Sequence, residues 1–162
     1  MKARLLPFGQ RFRESGFTLV ETTAVVAIVG TLAATAMPRL AAMTGEARYA
    51  SLENARAALA TVAAMSHAKF LINGAATQSF EDSKVALIHG YPAASQATAD
   101  AAGLSASYVV SSVDPGMMSL VPKSIAGTPR ANDCYLVYEQ ASAANPRPQI
   151  RMGDNTSAET CV

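Results

Sequence analysis

An uncharged run with one carboxylate at its start limits what this chain can become. From Thr22 to Pro38 seventeen consecutive residues carry no charge, and Phe17 to Val20 extend the apolar character forward. The whole stretch approaches the roughly 20 residues that a helix needs to cross a bilayer. Glu21 interrupts it. A carboxylate in hydrocarbon is costly unless it finds a partner or reaches the interface, so Glu21 either snorkels to the membrane surface or has a purpose.

The flanks set direction and processing. The first sixteen residues hold Lys2, Arg4, Arg11 and Arg13 against one acid, Glu14. That bias predicts a cytoplasmic N-terminus, with everything after Pro38 on the far side of the membrane. Ala34-Thr35-Ala36 has the small-x-small form of a secretory cleavage site. Cutting there would remove the apolar run and leave a chain beginning at Met37. A cut between Gly16 and Phe17 would keep the run as a permanent N-terminal helix.

The residues around that second cut carry a resemblance. Ser15-Gly16-Phe17-Thr18-Leu19-Val20-Glu21, followed by a long apolar run, resembles the processing site of type IV prepilins and pseudopilins. Glycine stands at the cut, phenylalanine follows it, and glutamate is the fifth residue of the mature chain. The resemblance implies that residues 1–16 are a leader removed by a membrane prepilin peptidase, with Gly16 and Phe17 at the cut and Phe17 N-methylated. It also implies that Glu21 pairs with the terminal amine of a neighbouring subunit during assembly on an inner-membrane platform. Physical reasoning favours such a role, because a buried carboxylate facing an ammonium recovers much of the cost that either bears alone. Misregistered neighbours would leave both charges unpaired, so the pair would set register more than add stability.

The formal net charge is +1, and the local +3 of residues 1–16 leaves −2 for the rest. No basic patch of the kind that neutralises phosphates stands out, and nucleic acid is not an expected partner. Beyond the apolar run lie two cysteines, Cys134 and Cys161. An even count outside the cytoplasm reads as one disulfide, closing a segment of 28 residues counting both ends. Metal binding is the alternative, but two distant thiols with only His67 and His89 in the chain do not form a ligand set. No cofactor or metal is expected.

Gly30 and Pro38 both weaken helical hydrogen bonding, and a bend or melted turn is expected between them, although an isolated subunit could stay helical there. Pilins often carry Gly and Pro at corresponding places; the plainer reading of Gly30 is close helix packing. After Pro38 the pattern turns amphipathic, with Leu52, Ala55, Leu59, Val62, Ser66 and Phe70 on one face and Glu46, Arg48, Glu53, Arg56 and Lys69 opposite. Asn73-Gly74 stops the helix. Residues 17–73 therefore read as one long helix, with 17–38 as transmembrane segment or filament core.

Residues 74–162 read as a globular head. Val85 to Ile88, Tyr108 to Val110, Ser119 to Val121, Cys134 to Tyr138 and Gln149 to Met152 are strand candidates, with turns at Gly90-Tyr91-Pro92 and Asp114-Pro115-Gly116. Residues 93–104 hold a short helix or a loop. The expected fold class is α+β and pilin-like: a long N-terminal helix with a protruding hydrophobic half, packed on a small antiparallel sheet. Asn73-Gly74, Gly90-Tyr91-Pro92 and Asp133-Cys134-Tyr135 ahead of the second cysteine resemble pilins of the mannose-sensitive haemagglutinin type. The leader is long for the type IVa group, which leaves the subclass open.

Catalytic chemistry finds no constellation. His67 sits on the predicted helix and His89 at a strand end; Asp114, Asp133 and Asp154 sit in turn sequences; Glu81 and Asp82 are a lone acidic pair. No nucleophile motif, phosphate loop or metal spacing connects them, so no enzyme is expected. The segment between the cysteines, with Asn145-Pro146-Arg147-Pro148 and Asp154-Asn155-Thr156-Ser157, is the expected functional surface of the head, or else merely a stapled C-terminal segment. The sequence thus favours the subunit of a homopolymeric or mixed pilus used in adhesion or surface attachment. The alternatives are a pseudopilin of a type II secretion or DNA-uptake system, a soluble periplasmic binding domain or small enzyme cut after Ala36, and a single-span anchored receptor.

Overall fold

A computed structural model describes residues 17–81 and 83–162. Gly16 with the rest of the leader, and Asp82 of the acidic pair, lie outside the described residues. The fold class is α+β: a long apolar N-terminal helix, α1 (Leu19–Asn73), followed by two small antiparallel sheets. The chain divides at Pro38 into two compact units, and the head unit begins at Arg39.

α1 is helical without interruption through Gly30 and Pro38. The melted turn expected between them is absent from the single chain; the expectation that an isolated subunit stays helical describes it better. In the first unit, all residues from Phe17 to Pro38 are exposed. In the head unit, α1 buries Gly45, Leu52, Ala55, Leu59, Val62, Ala63 and Ser66. These recur at intervals of three and four, the period of one helical face. Phe70, placed on that stripe by its spacing, is only half-buried.

Gly74, at φ +63°, ends the helix, and its N–H donates to the Phe70 carbonyl at 2.8 Å. The first sheet follows, in the order β1 (Thr77–Phe80), β2 (Ser83–Ile88), β3 (Tyr91–Pro92). Ile88 pairs with Tyr91 across His89 and Gly90, both at positive φ (51° and 81°). That is a two-residue hairpin loop whose twist matches the flanking strands. So the turn lies one step earlier than expected, and Tyr91-Pro92 belongs to a strand. A short helix, α2 (Gln96–Ala101), occupies the 93–104 stretch.

The second sheet has the order β4 (Tyr108–Asp114), β5 (Met117–Pro122), β6 (Leu136–Glu139), β7 (Gln149–Met152). Its core joins Met118 and Leu120 of β5 with Leu136 and Tyr138 of β6, and packs them on Leu52, Ala55 and Leu59 of α1. The head thus has two sheets, where the turn pattern led us to expect one. Tyr138 links them: its fully buried hydroxyl donates to the Pro92 carbonyl at 2.7 Å. Burial pushes the Tyr138 phenol above the ordinary tyrosine value, so it stays protonated and able to donate.

Candidate functional site

Two places gather the residues that the sequence singles out: the start of α1 and the segment closed by the cysteines. At the first, Thr18 and Glu21 form a reciprocal cap. The Thr18 N–H and its hydroxyl both donate to Glu21 Oε2 at 2.9 Å, and the Glu21 N–H donates to Thr18 Oγ1 at 3.2 Å. This Thr-x-x-Glu capping box satisfies free N–H groups at a helix start. The Thr-x-x-Glu spacing that signals such a cap is present in the sequence at Thr18 and Glu21. Glu21 therefore has a local hydrogen-bond partner in the single chain. Phe17, the other residue of the predicted cut and methylation site that is described, is 91% exposed just ahead of the cap.

The surface behind Glu21 is apolar although it contains threonines. Thr22, Thr23, Thr31 and Thr35 each donate a hydroxyl to a backbone carbonyl one turn back, at 2.8 to 3.2 Å. Each polar group is thereby satisfied within the helix, which is what a segment in hydrocarbon requires. Val25, Val26, Ile28, Val29 and Leu32 are all more than half exposed. Within α1 this stretch is long and apolar enough to cross a membrane.

At the second place, Cys134 and Cys161 are joined, with their Cα atoms 5.0 Å apart and both residues fully buried. The closed segment is more than a surface loop. It contains β6, whose Leu136, Val137 and Tyr138 are buried, so the bridge ties a core strand to the C-terminal segment. Tyr135 and Thr156 exchange backbone and hydroxyl bonds across it, and Thr160 Oγ1 donates to the Asp133 carbonyl.

This segment docks on α1 through two residues that spacing did not flag. Arg48, expected on the solvated face, is half-buried and donates from Nη1 to the Cys161 carbonyl at 2.7 Å. Gly45 is buried beneath Ala158 and Val162, and a Cβ there would overlap the Ala158 carbonyl oxygen. Lys69, from the same expected face, lies over the Phe80 ring at 4.3 Å and donates to the Ser79 carbonyl. Glu46, Glu53 and Arg56 are exposed as expected.

The remaining candidates stay apart. His67 is half-buried, stacked on Tyr91 with centroids 4.2 Å apart, and its Nδ1 lies 3.1 Å from the Gly90 carbonyl. His89 is exposed in the hairpin turn. Asp154 pairs with Arg151 at 3.2 Å, and Asp133 accepts a 3.5 Å bond from Asn155. Asp100 on α2 accepts from Ser105 and Gln96, which together hold its carboxyl below the usual range. Among the described residues no group of three His, Cys, Asp or Glu side chains is placed to hold a metal ion.

No protein-family model, curated protein or solved structure matches the chain.

Proposed function

We propose that this chain is a type IV pilin-like structural subunit: cut after Gly16, anchored by the first half of α1 with its head on the periplasmic side, and polymerised through that half into an extracellular filament for adhesion or attachment. The observation that carries the reading is the exposed surface of residues 19–38, with its threonine hydroxyls turned back onto the helix and Glu21 held at its start. Such a surface is stable in lipid or against other apolar helices, not in water. In assembly Glu21 would exchange its bond to the Thr18 N–H for the amine of a neighbour, so the capping box keeps the carboxylate satisfied until a partner arrives.

The deciding measurement is the N-terminal sequence and intact mass of the chain from native membranes or sheared surface fibres. A terminus at Phe17, with or without an added methyl group, is expected; a terminus at Met1 or Met37 overturns the reading. Glu21→Ala is expected to abolish filaments seen by electron microscopy while the disulfide still forms. Normal filaments from that variant would remove Glu21 from assembly.

A further inference from the structure

We infer that copies of this chain also join head to head, through a knob on β4 of one copy that enters a groove beside β7 of the next. This rests on the filament reading above and adds to it a specific contact between heads. The groove has a volume of about 410 Å³ and is walled by Ala64 and Leu71 of α1, Tyr91 of β3, and Arg147, Pro148 and Ile150 at the start of β7. Its wall is firm, because Tyr91 is stacked on His67 and His67 is bonded to the hairpin at Gly90. Arg147 is exposed and, among the described residues, makes no side-chain hydrogen bond or ion pair; it is the one Lys, Arg, Asp or Glu in the lining. The groove therefore fits an apolar group with a carboxylate next to it.

The head itself carries such a group. Among the described residues after α1, the exposed large hydrophobics are Val109 and Val113, at 38% and 56%. Val113 is the extra residue where the β4–β5 register shifts between Ser112 and Asp114, and such a bulge turns a side chain out of the ladder. Beside it stands Asp114, exposed and, among the described residues, without a side-chain hydrogen bond or ion pair. Knob and groove lie at opposite edges of one sheet, since β4 and β7 are its outer strands. Three inter-strand steps separate those strands, roughly 14 Å. A knob-to-groove contact used in one direction leaves a free knob and a free groove on every pair, and where its rotation does not close into a ring it propagates along a filament.

The test is photo-crosslinking of the full chain in its native membranes and fibres, with Val113→p-benzoylphenylalanine and, separately, Leu32→p-benzoylphenylalanine. The probe at 113 is expected to give a ladder of multimers, with the crosslink mapped by mass spectrometry to peptides containing residues 60–71 or 147–150. Arg147→Glu or Asp114→Arg alone should reduce that ladder about tenfold, and the two together should restore it. Both positions are exposed, and disulfide formation reports that each variant folds. If the probe at 32 gives a ladder while the probe at 113 gives none, or maps elsewhere, or the charge swap restores nothing, the head contact is wrong and the filament reading stands. If neither probe gives multimers, both fall.

Discussion

α1 carries a glycine in each of its halves, and the two are there for opposite reasons. Around Gly30 a Cβ would meet nothing within 4 Å, whereas at Gly45 it would overlap Ala158 and Val162. One helix thus obeys two rules. Beyond Arg39 its side chains are chosen to fit a core already present in the same chain. Before Pro38 they are chosen for an environment the chain alone does not supply. Apolar residues in the first half say what solvent or neighbour it needs; those in the second say which face points inward.

The largest effect expected from this contrast comes from deleting large side chains in each half. Leu59→Ala should cost the head about 2 to 5 kcal/mol, because Leu59 is fully buried and a cavity would remain. Leu32→Ala should leave head stability unchanged by denaturant titration in detergent. Equal losses would break the distinction. Next, replacing Cys134 and Cys161 by serine should cost roughly 3 to 4 kcal/mol, the loop-closure value for a bridge of this span, and again without effect on the apolar half.

The glycines give a smaller effect that differs in sign. Ala is ordinarily better than Gly inside a helix by about 1 kcal/mol. Gly30→Ala should therefore raise helicity of the detergent-solubilised chain by circular dichroism. Gly45→Ala should instead lower the melting temperature, with overpacking of about 1 to 3 kcal/mol outweighing the helical gain. A stabilised Gly45→Ala would mean that the C-terminal segment does not sit where it is placed.

The smallest effect is alkaline. Because burial raises the Tyr138 phenol above its ordinary value of about 10, the folded chain holds a proton there that the unfolded chain gives up. Stability contributed by Tyr138 is fully present below about pH 10 and is lost as pH rises beyond it. Tyr138→Phe should flatten that decline, and at neutral pH cost about 1 to 3 kcal/mol by leaving the Pro92 carbonyl unpaired. An unchanged decline in the variant would place its origin elsewhere.

What the sequence made legible follows the same division. The stripe of Leu52, Ala55, Leu59, Val62 and Ser66 could be read because burial against one flat partner repeats with the helix. The cysteine pair could be read from its even count together with the position expected for it beyond the apolar run. Strand β1 was missed because Thr77-Gln78-Ser79-Phe80 turns a glutamine inward, where Gln78 exchanges side-chain bonds with Asn73 and also donates to the Ala75 carbonyl. No alternation of apolar residues marks such a strand. Arg48 was placed on the water side because periodicity says which face a residue occupies, but not that a carbonyl 113 positions later will come to meet it. The charge of Glu21 in an apolar run points to a distant partner, although its nearest one is Thr18, three residues before it.

That bond from Arg48 to the Cys161 carbonyl also has a consequence in time. Its two ends are 113 positions apart, and the buried stripe of α1 from Leu52 to Ser66 waits for strands made long after it. Contacts so distant in sequence form slowly, because a long loop must close before any of them is rewarded. On the filament reading proposed above, the apolar first half of α1 would hold the chain in lipid during export, while the stripe of its second half would stay uncovered until the polypeptide through Cys161 had emerged. An anchor of that kind would also be a tether for an unfinished fold, holding each head at the membrane through the stage when its apolar face is still open to neighbours.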